Sequence, residues 1–520
     1  MNVLLITADQ FRSECLSAAG HAVVKTPHLD RLAEDGTRFT QHFGQCPPCG
    51  PSRASLLTGM YQMNHRSVQN GTPLDAGFTN LAQMVRTVGY TPWVIGYTDT
   101  SLDPRGLHSR DPRAGRYSEM LPGGAQFAPG SEEGSTDPAW LLHLQDLGYP
   151  KWKKPFRQKD GFAAETLARG PTFAPAEVKA EHGLSAFTTD RALRCVRQYG
   201  DSPWFLHVSY QRPHPPLIAT EPWHAMYDLE DVPDFQALAS LDDERAIHPF
   251  MPFRLARLEM NPKLPLDGPH PNSNAQWRQA RATYYGLVSE LDDQIGRLLA
   301  GLKALNAYDD TLIIFTSDHG EMLGDHWCWG KETPFDQAVH VPCIVRSPQA
   351  SKAARGRVVD NFSEHVDIMP TVLDYIGAQI PLQCDGRSLR EFAEGATPSA
   401  WRDAVHWEYD FRSISDDSVD KHFGLSIDEL GLAVTRTKTQ KYIHFSALAP
   451  LFYDVAADPF ELANLAGEPA RAEQVLHMAQ RMLSWRMAFN RRELTGIRLH
   501  RGQQIHAAVE RRILKGQALP

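Results

Sequence analysis

The sequence predicts an α/β protein: a doubly wound, mostly parallel sheet with helices on both faces, joined to a small antiparallel sheet near the C-terminus. Three observations carry that prediction. Short, unbroken apolar runs recur and end in polar residues, a helical periodicity lies between two of them, and after about residue 400 the texture changes to short strand-like pieces. A continuous apolar run is what a strand buried on both faces requires, whereas a strand with one wet face alternates.

Val3-Leu4-Leu5-Ile6-Thr7 is the first run, and it delivers Asp9 and Gln10 just past its end. Trp93 to Tyr97, Trp204 to Val208, Thr311 to Thr316 and Pro342 to Val345 repeat the pattern, each near a polar loop. Before the fourth run, Tyr284, Leu287, Val288, Leu291, Ile295, Leu298 and Leu302 recur at three- and four-residue spacing, which predicts an amphipathic helix. Strands alternating with helices place ligands outside the carboxyl ends of the strands, the position that Asp9 and Asp318 take. Residues 110–185 are rich in Gly, Pro and charge, as in Pro122-Gly123-Gly124 and Lys151-Trp152-Lys153-Lys154, and read as an irregular insertion covering the site. Lys441 to Phe445 and Leu451 to Val455 predict the small sheet, and a helix follows from about Arg471 to Arg491. The basic tail (Arg498, Arg501, Arg511, Arg512, Lys515) reads either as a helical arm on a neighbouring subunit or as a solvated terminus. The predicted division is a catalytic unit over 1–400 and a C-terminal unit over 401–520.

A chain of 520 residues with 42% apolar and 22% charged content is an ordinary globular composition. The net charge of −9 disfavours nucleic acid and anionic membranes as partners, so attraction for an anionic substrate must be local. Met1-Asn2 leads into an apolar stretch too short for a signal-peptide core, and no run of about 18 apolar residues suggests a membrane span. Seven cysteines without framework spacing fit a reducing compartment, so the expected location is cytoplasmic.

The most informative stretch is Cys49-Gly50-Pro51-Ser52-Arg53, followed by Ala54-Ser55-Leu56-Leu57-Thr58-Gly59. Cys46 and Cys49 also form a Cys-x-x-Cys pair, which elsewhere is a redox couple or half of a zinc site. Structural zinc needs four ligands, and Cys15, Cys195, Cys328, Cys343 and Cys384 are scattered singly. A redox pair would leave the following residues unconstrained. Here they match another pattern one by one: the pentapeptide resembles the sequence that the sulfatase family presents for oxidation of its cysteine to Cα-formylglycine. The resemblance implies that Cys49, converted by transient contact with a formylglycine-generating enzyme, becomes a hydrated aldehyde and the catalytic nucleophile.

The same resemblance implies one divalent metal ion per subunit, held by Asp9, Gln10, Asp318, His319 and modified Cys49. Singly, an Asp at a strand end is a common cap or turn residue. Most sulfatases resemble one another in carrying a second aspartate where this chain has Gln10, and often an asparagine where it has His319. Losing a carboxylate and gaining an imidazole favours Mn²⁺, with Ca²⁺ and Zn²⁺ behind it. By resemblance, Arg53 neutralises or orients the nucleophile and Asp318 accepts its proton. Lys331, in Asp325-His326-Trp327-Cys328-Trp329-Gly330-Lys331, binds the substrate's non-bridging oxygens, and His214, in Gln211-Arg212-Pro213-His214-Pro215-Pro216, serves the leaving-group oxygen. The bland alternatives are a lysine on a solvated loop and a histidine satisfied in a core.

Gly59 to Asn70, Ile95 to Thr98, Arg212 to Pro216, Cys384 to Ser388 and Leu451 to Asp454 look like the phosphonate monoester hydrolase and arylsulfatase branch of the alkaline phosphatase superfamily, with its alkaline-phosphatase-like fold. Ordinary sulfatases carry Lys-Trp-His where this chain has Tyr97, Thr98 and Asp99. The less positive pocket suits singly charged phosphonate monoesters and diesters as well as sulfate monoesters. Asn70 and Tyr97 are neutral contacts for the anion. Asp99 stands where that branch would have threonine, and a carboxylate there acts as a base or repels the substrate. The implied activity is a metal-dependent arylsulfatase that also cleaves phosphonate monoesters and phosphodiesters; the alternative makes the phosphonate activity primary. Two rivals remain: a related metallohydrolase with an unmodified nucleophile, and a non-catalytic binding protein on the same fold. The expected partners are a small sulfate or phosphonate ester and further copies of the chain, as a dimer or tetramer.

Overall fold

The structure, a computed structural model, describes residues 1–117, 119–126, 138–151, 156–257 and 269–491 and, in the tail, 494, 495, 497–501 and 503–506. Eight strands form the main sheet: β1 (Asn2–Asp9), β2 (Thr37–Phe43), β3 (Pro92–Gly96), β4 (Ala125–Gln126), β5 (Phe205–Pro213), β6 (Thr311–Ser317), β7 (Cys343–Arg346) and β8 (Arg357–Glu364). Their order is β4-β3-β5-β1-β6-β7-β2-β8. Every neighbouring pair is parallel except those of β7, which runs antiparallel to both β6 and β2.

The apolar runs are continuous because the sheet is covered on both sides. From β1, Leu4, Ile6 and Ala8 join one core with Ile313 and Phe315 of β6, while Val3 and Leu5 join a second core with Leu312 and Ile314. The first core is closed by the predicted helix, α4 (Ala275–Ala304), whose seven periodic residues are all buried. The second is closed by α5 (Ile368–Tyr375) through Ile368, Val372 and Leu373. Each such side chain contributes about 1.5–3 kcal/mol of burial. Also in the first layer are α1 (Pro27–Glu34) and α3 (Leu184–Tyr199), and α2 (Cys49–Thr58) follows β2.

Strands β9 (Ala404–Asp410), β10 (Gly431–Thr437), β11 (Lys441–Phe445) and β12 (Leu451–Tyr453) form a separate antiparallel sheet in the order β12-β11-β10-β9, and α6 (Ala472–Ala488) packs on it through Met478, Met482 and Trp485. The stretch expected to be irregular contains helices at Pro138–Asp146 and Ala163–Arg169 and contributes β4 to the sheet edge. Local burial of Trp140 and Leu144 against Val178 and Phe187 explains that order. Trp152, Lys153 and Lys154 lie outside the described residues, as do Arg511, Arg512 and Lys515. The start of the tail is a two-stranded antiparallel pair, Ile497–His500 with Gln503–His506, rather than a helical arm. All seven cysteines are free and buried, and among the described residues no helix is long and apolar enough to cross a membrane.

Candidate active site

The carboxyl ends of four adjacent strands, β3, β5, β1 and β6, meet in one row and carry Tyr97 to Asp99, His214, Asp9 with Gln10, and Asp318 with His319. Register brings Ala8 opposite Ser317, so Asp9 and Asp318 emerge side by side. Register also sets Gly96 opposite Ser209; with φ +93° and a Cβ that would fall 2.0 Å from the Ser209 carbonyl oxygen, only glycine fits at the end of β3.

Cys49 opens α2, and Arg53 lies four residues on, which places both side chains on one helical face toward the row. Asn70 accepts the Gly50 amide at 2.9 Å and so fixes the first turn. A side chain at Gly50 would approach the Asp99 carbonyl to 3.0 Å, so the nucleophile's neighbour must stay small. Behind this turn, the Ser52 hydroxyl donates to the Asp318 carbonyl and lies 3.1 Å from His365 Nδ1.

Ligand atoms of Asp9, Cys49, Asp318 and His319 all lie within 4.8 Å of one another, and all four residues are buried. His319 Nε2 is 3.0 Å from Cys49 Sγ and 3.7 Å from a carboxylate oxygen of both Asp9 and Asp318. The tautomer follows from the other nitrogen: His319 Nδ1 donates to the Gly320 carbonyl at 2.9 Å, leaving Nε2 as a lone pair. Burial holds this imidazole down to about 4, so it is neutral. A lone pair, a sulfur and two carboxylates converging in one buried cluster suit a cation, and this donor set fits a divalent ion.

Arg53 binds the two carboxylates together. Its Nε donates to Asp318 Oδ2 at 2.9 Å and its Nη2 to Asp9 Oδ2 at 3.2 Å, while Nη1 donates to Ser209 Oγ at 2.7 Å and to the Tyr97 carbonyl at 3.0 Å. The Tyr97 ring packs 5.0 Å from the guanidinium. Burial, and then Asp318, push Asp9 well above the ordinary carboxylate range. Burial would raise Asp318 too, but His319, Arg53 and the Gln10 amide outweigh it and hold Asp318 low.

Gln10, in a left-handed conformation with φ +69°, donates through Nε2 to Glu321 and accepts from Lys331 Nζ at 3.1 Å. The structure thus ties its side chain to Glu321 and Lys331. Lys331 Nζ also lies 3.2 Å from His214 Nε2, and His214 Nδ1 donates to the Pro215 carbonyl at 2.7 Å. Burial and the ammonium hold His214 well below its ordinary range, so it is a neutral acceptor from Lys331. Neither residue is the solvated lysine or core-satisfied histidine of the bland readings.

Cys46 is apart from the cluster: its thiol lies 3.8 Å from Ser55 Oγ. Ser209 and Glu321 escaped the sequence reading. Ser209 lies inside an apolar strand and carries no signal, whereas Glu321 was findable as an acid two residues after His319 in the same loop.

Known proteins share this architecture. The family model described as Sulfatase matches residues 1–378, and one described as N-sulphoglucosamine sulphohydrolase, C-terminal, matches residues 324–488. The chain is 40% identical over 506 residues to the multifunctional alkaline phosphatase superfamily protein PehA of Trinickia caryophylli, covering 96% of this chain and 97% of that protein. It is 29% identical to an arylsulfatase of Clostridium perfringens, covering 91% of this chain and 92% of that one. The crystal structure of a phosphonate monoester hydrolase of Agrobacterium radiobacter aligns with a TM-score of 0.91 at 40% identity, covering 97% of this chain and 99% of that chain.

Proposed function

The chain belongs to the sulfatase family and is a hydrolase, and from that premise we propose that it cleaves singly charged sulfate and phosphonate esters and phosphodiesters, using formylglycine derived from Cys49. The observation that carries this is the convergence of Cys49, Asp9, Asp318 and His319 under the Arg53 clamp. Burial, with Asp9 next, pushes the Cys49 thiol up, which is the opposite of the electropositive setting that activates a cysteine and disfavours the rival in which the thiol acts unmodified.

Asp9, Asp318, His319 and modified Cys49 would hold the ion, with the Gln10 carbonyl available once Lys331 turns toward substrate. A bound divalent ion, Mn²⁺ on the donor set, supplies positive charge that offsets the paired carboxylates and polarises the ester. Arg53 holds both carboxylates aligned toward the site. Lys331 carries a proton at Nζ within reach of an oxygen leaving the site, and His214 aims it. Asn70 and Tyr97 act through Gly50 and Arg53, holding the turn and the guanidinium. Formylglycine formation calls for transient docking of a formylglycine-generating enzyme. A dimer or tetramer, and a reducing cytoplasmic setting suited to seven free cysteines, complete the proposal.

An activity panel on metal-defined protein tests it: an aryl sulfate, a phosphonate monoester and a phosphodiester with one common leaving group. Turnover of all three is expected. Inactivity toward all of them would remove the proposal, while a large preference for the phosphonate monoester would favour the alternative ordering, which the 40% identity to the Agrobacterium radiobacter enzyme supports.

A further inference from the structure

Asp99 is the group in this site that the mechanism leaves unused. It is 1% exposed, its backbone is in the left-handed region at φ +50°, and neither carboxylate oxygen receives an N–H or O–H donor. Of its neighbours, the Cys49 thiol is the one that bears on it as a hydrogen-bond donor. A buried carboxylate that receives no N–H or O–H donor is costly to hold, and a left-handed non-glycine backbone adds strain. Contacts made within the chain therefore do not account for its placement. Its position is also fixed: the Asp99 carbonyl packs against Gly50, beside the nucleophile.

The charges around Cys49 indicate what Asp99 does. Facing Cys49 itself, Asp9, Asp318 and Asp99 are set against Lys331 and Arg53, three carboxylates to two cations, while Glu321 stands further out with its carboxylate taken by Gln10 and by the Leu323 and Gly330 amides. A divalent ion would leave one surplus positive charge, the match for an ester bearing one negative charge. Without Asp99 the surplus would be two, the match for a doubly charged phosphate monoester. In a water-poor pocket one unit charge at contact distance changes anion affinity steeply. We propose that Asp99 is a specificity-determining residue that excludes dianionic phosphate monoesters and restricts the site to singly charged esters. This deepens the proposed function and rests on it for the identity of the accepted substrates.

The test uses the full-length, metal-loaded chain with Asp99→Asn and Asp99→Gly, both of which tolerate a left-handed backbone. At about pH 8, above the second phosphate pKa of about 6, 4-nitrophenyl phosphate is a dianion, while 4-nitrophenyl sulfate and 4-nitrophenyl phenylphosphonate are monoanions. Both variants are expected to raise the dianion-to-monoanion ratio of kcat/KM by roughly tenfold or more. Calorimetry should show inorganic phosphate binding more tightly by a similar factor at unchanged metal content. Ratios and phosphate affinity within about threefold of the parent chain, or an equal fall for all three esters, would overturn the proposal. Should the parent chain cleave none of the esters, the proposed function fails, and phosphate binding still decides the role of Asp99.

Discussion

The ammonium of Lys331 donates to Nε2 of His214 across 3.2 Å. Because His214 Nδ1 donates to Pro215, the imidazole has no proton to give at Nε2 in this arrangement, and the proton between the two residues belongs to Lys331. The family resemblance gives His214 and Lys331 together to the departing oxygen, and on this geometry we propose that His214 positions and Lys331 donates. Lys331→Ala should therefore cost about 10²–10³-fold with poor leaving groups and less with good ones, and His214→Ala should shift the same slope more weakly. A plot of rate against leaving-group pKa, at matched metal content, measures both. An unchanged slope with falling metal content would make His214 a ligand or a structural residue instead.

Removing either carboxylate should empty the metal site. In Asp9→Ala and Asp318→Ala, metal occupancy and activity should fall together for every substrate, since the clamp on Arg53 and the donor set are lost at once. The pH dependence has a definite sign. Asp9 is held well above the carboxylate range, so a proton competes with the ion, and metal affinity should weaken as pH falls. Metal titrations at several pH values read this directly; affinity that stays flat or rises on acidification would contradict it.

Asp292 of α4 accepts the His28 and Leu29 amides at 3.0 and 2.8 Å, capping the first turn of α1 from another helix. Burial outweighs these two bonds and pushes its carboxyl up to about 7. The folded chain keeps this proton while an unfolded Asp releases it near about 4, so the folded state binds more protons between those values. Stability from this group should decline as pH rises from about 4 to about 7 and level off above. Urea midpoints across that range should show a shallower decline in Asp292→Asn, and parallel slopes would refute the assignment.

What the sequence reveals and what it hides follow from burial and pairing. Strands β1, β5 and β6 are legible because both faces are covered, and β3 because its apolar run is unbroken although only partly buried; their ends carry the polar residues of the site. Strands β2 and β8 were not: Arg38 and Thr40 are partly exposed, and Val358 on the edge is 57% exposed, so no unbroken apolar run marks them. The reversal of β7 is invisible in Cys343-Ile344-Val345, because direction is set by how the loop carrying His319 and Lys331 returns to the sheet. Cys49, Arg53 and His319 are recognisable through resemblance to a family pattern, and Asp9 and Asp318 also through their place just past apolar runs. Their partners Ser209 and Glu321, and the pairing of His214 with Lys331, depend on distances across the chain that no local pattern encodes.

On the proposed reading Cys49 is rewritten before it acts, and peptide mass spectrometry of the segment containing Cys46 and Cys49 from active protein decides it. The structure separates the two thiols, Cys49 facing His319 and Cys46 facing Ser55, so Cys46→Ala should keep most of the activity and Cys49→Ala none. Formylglycine, or its hydrate, is expected at Cys49 with a stoichiometry that tracks specific activity. Fully active protein carrying only unmodified cysteine at position 49 would contradict it.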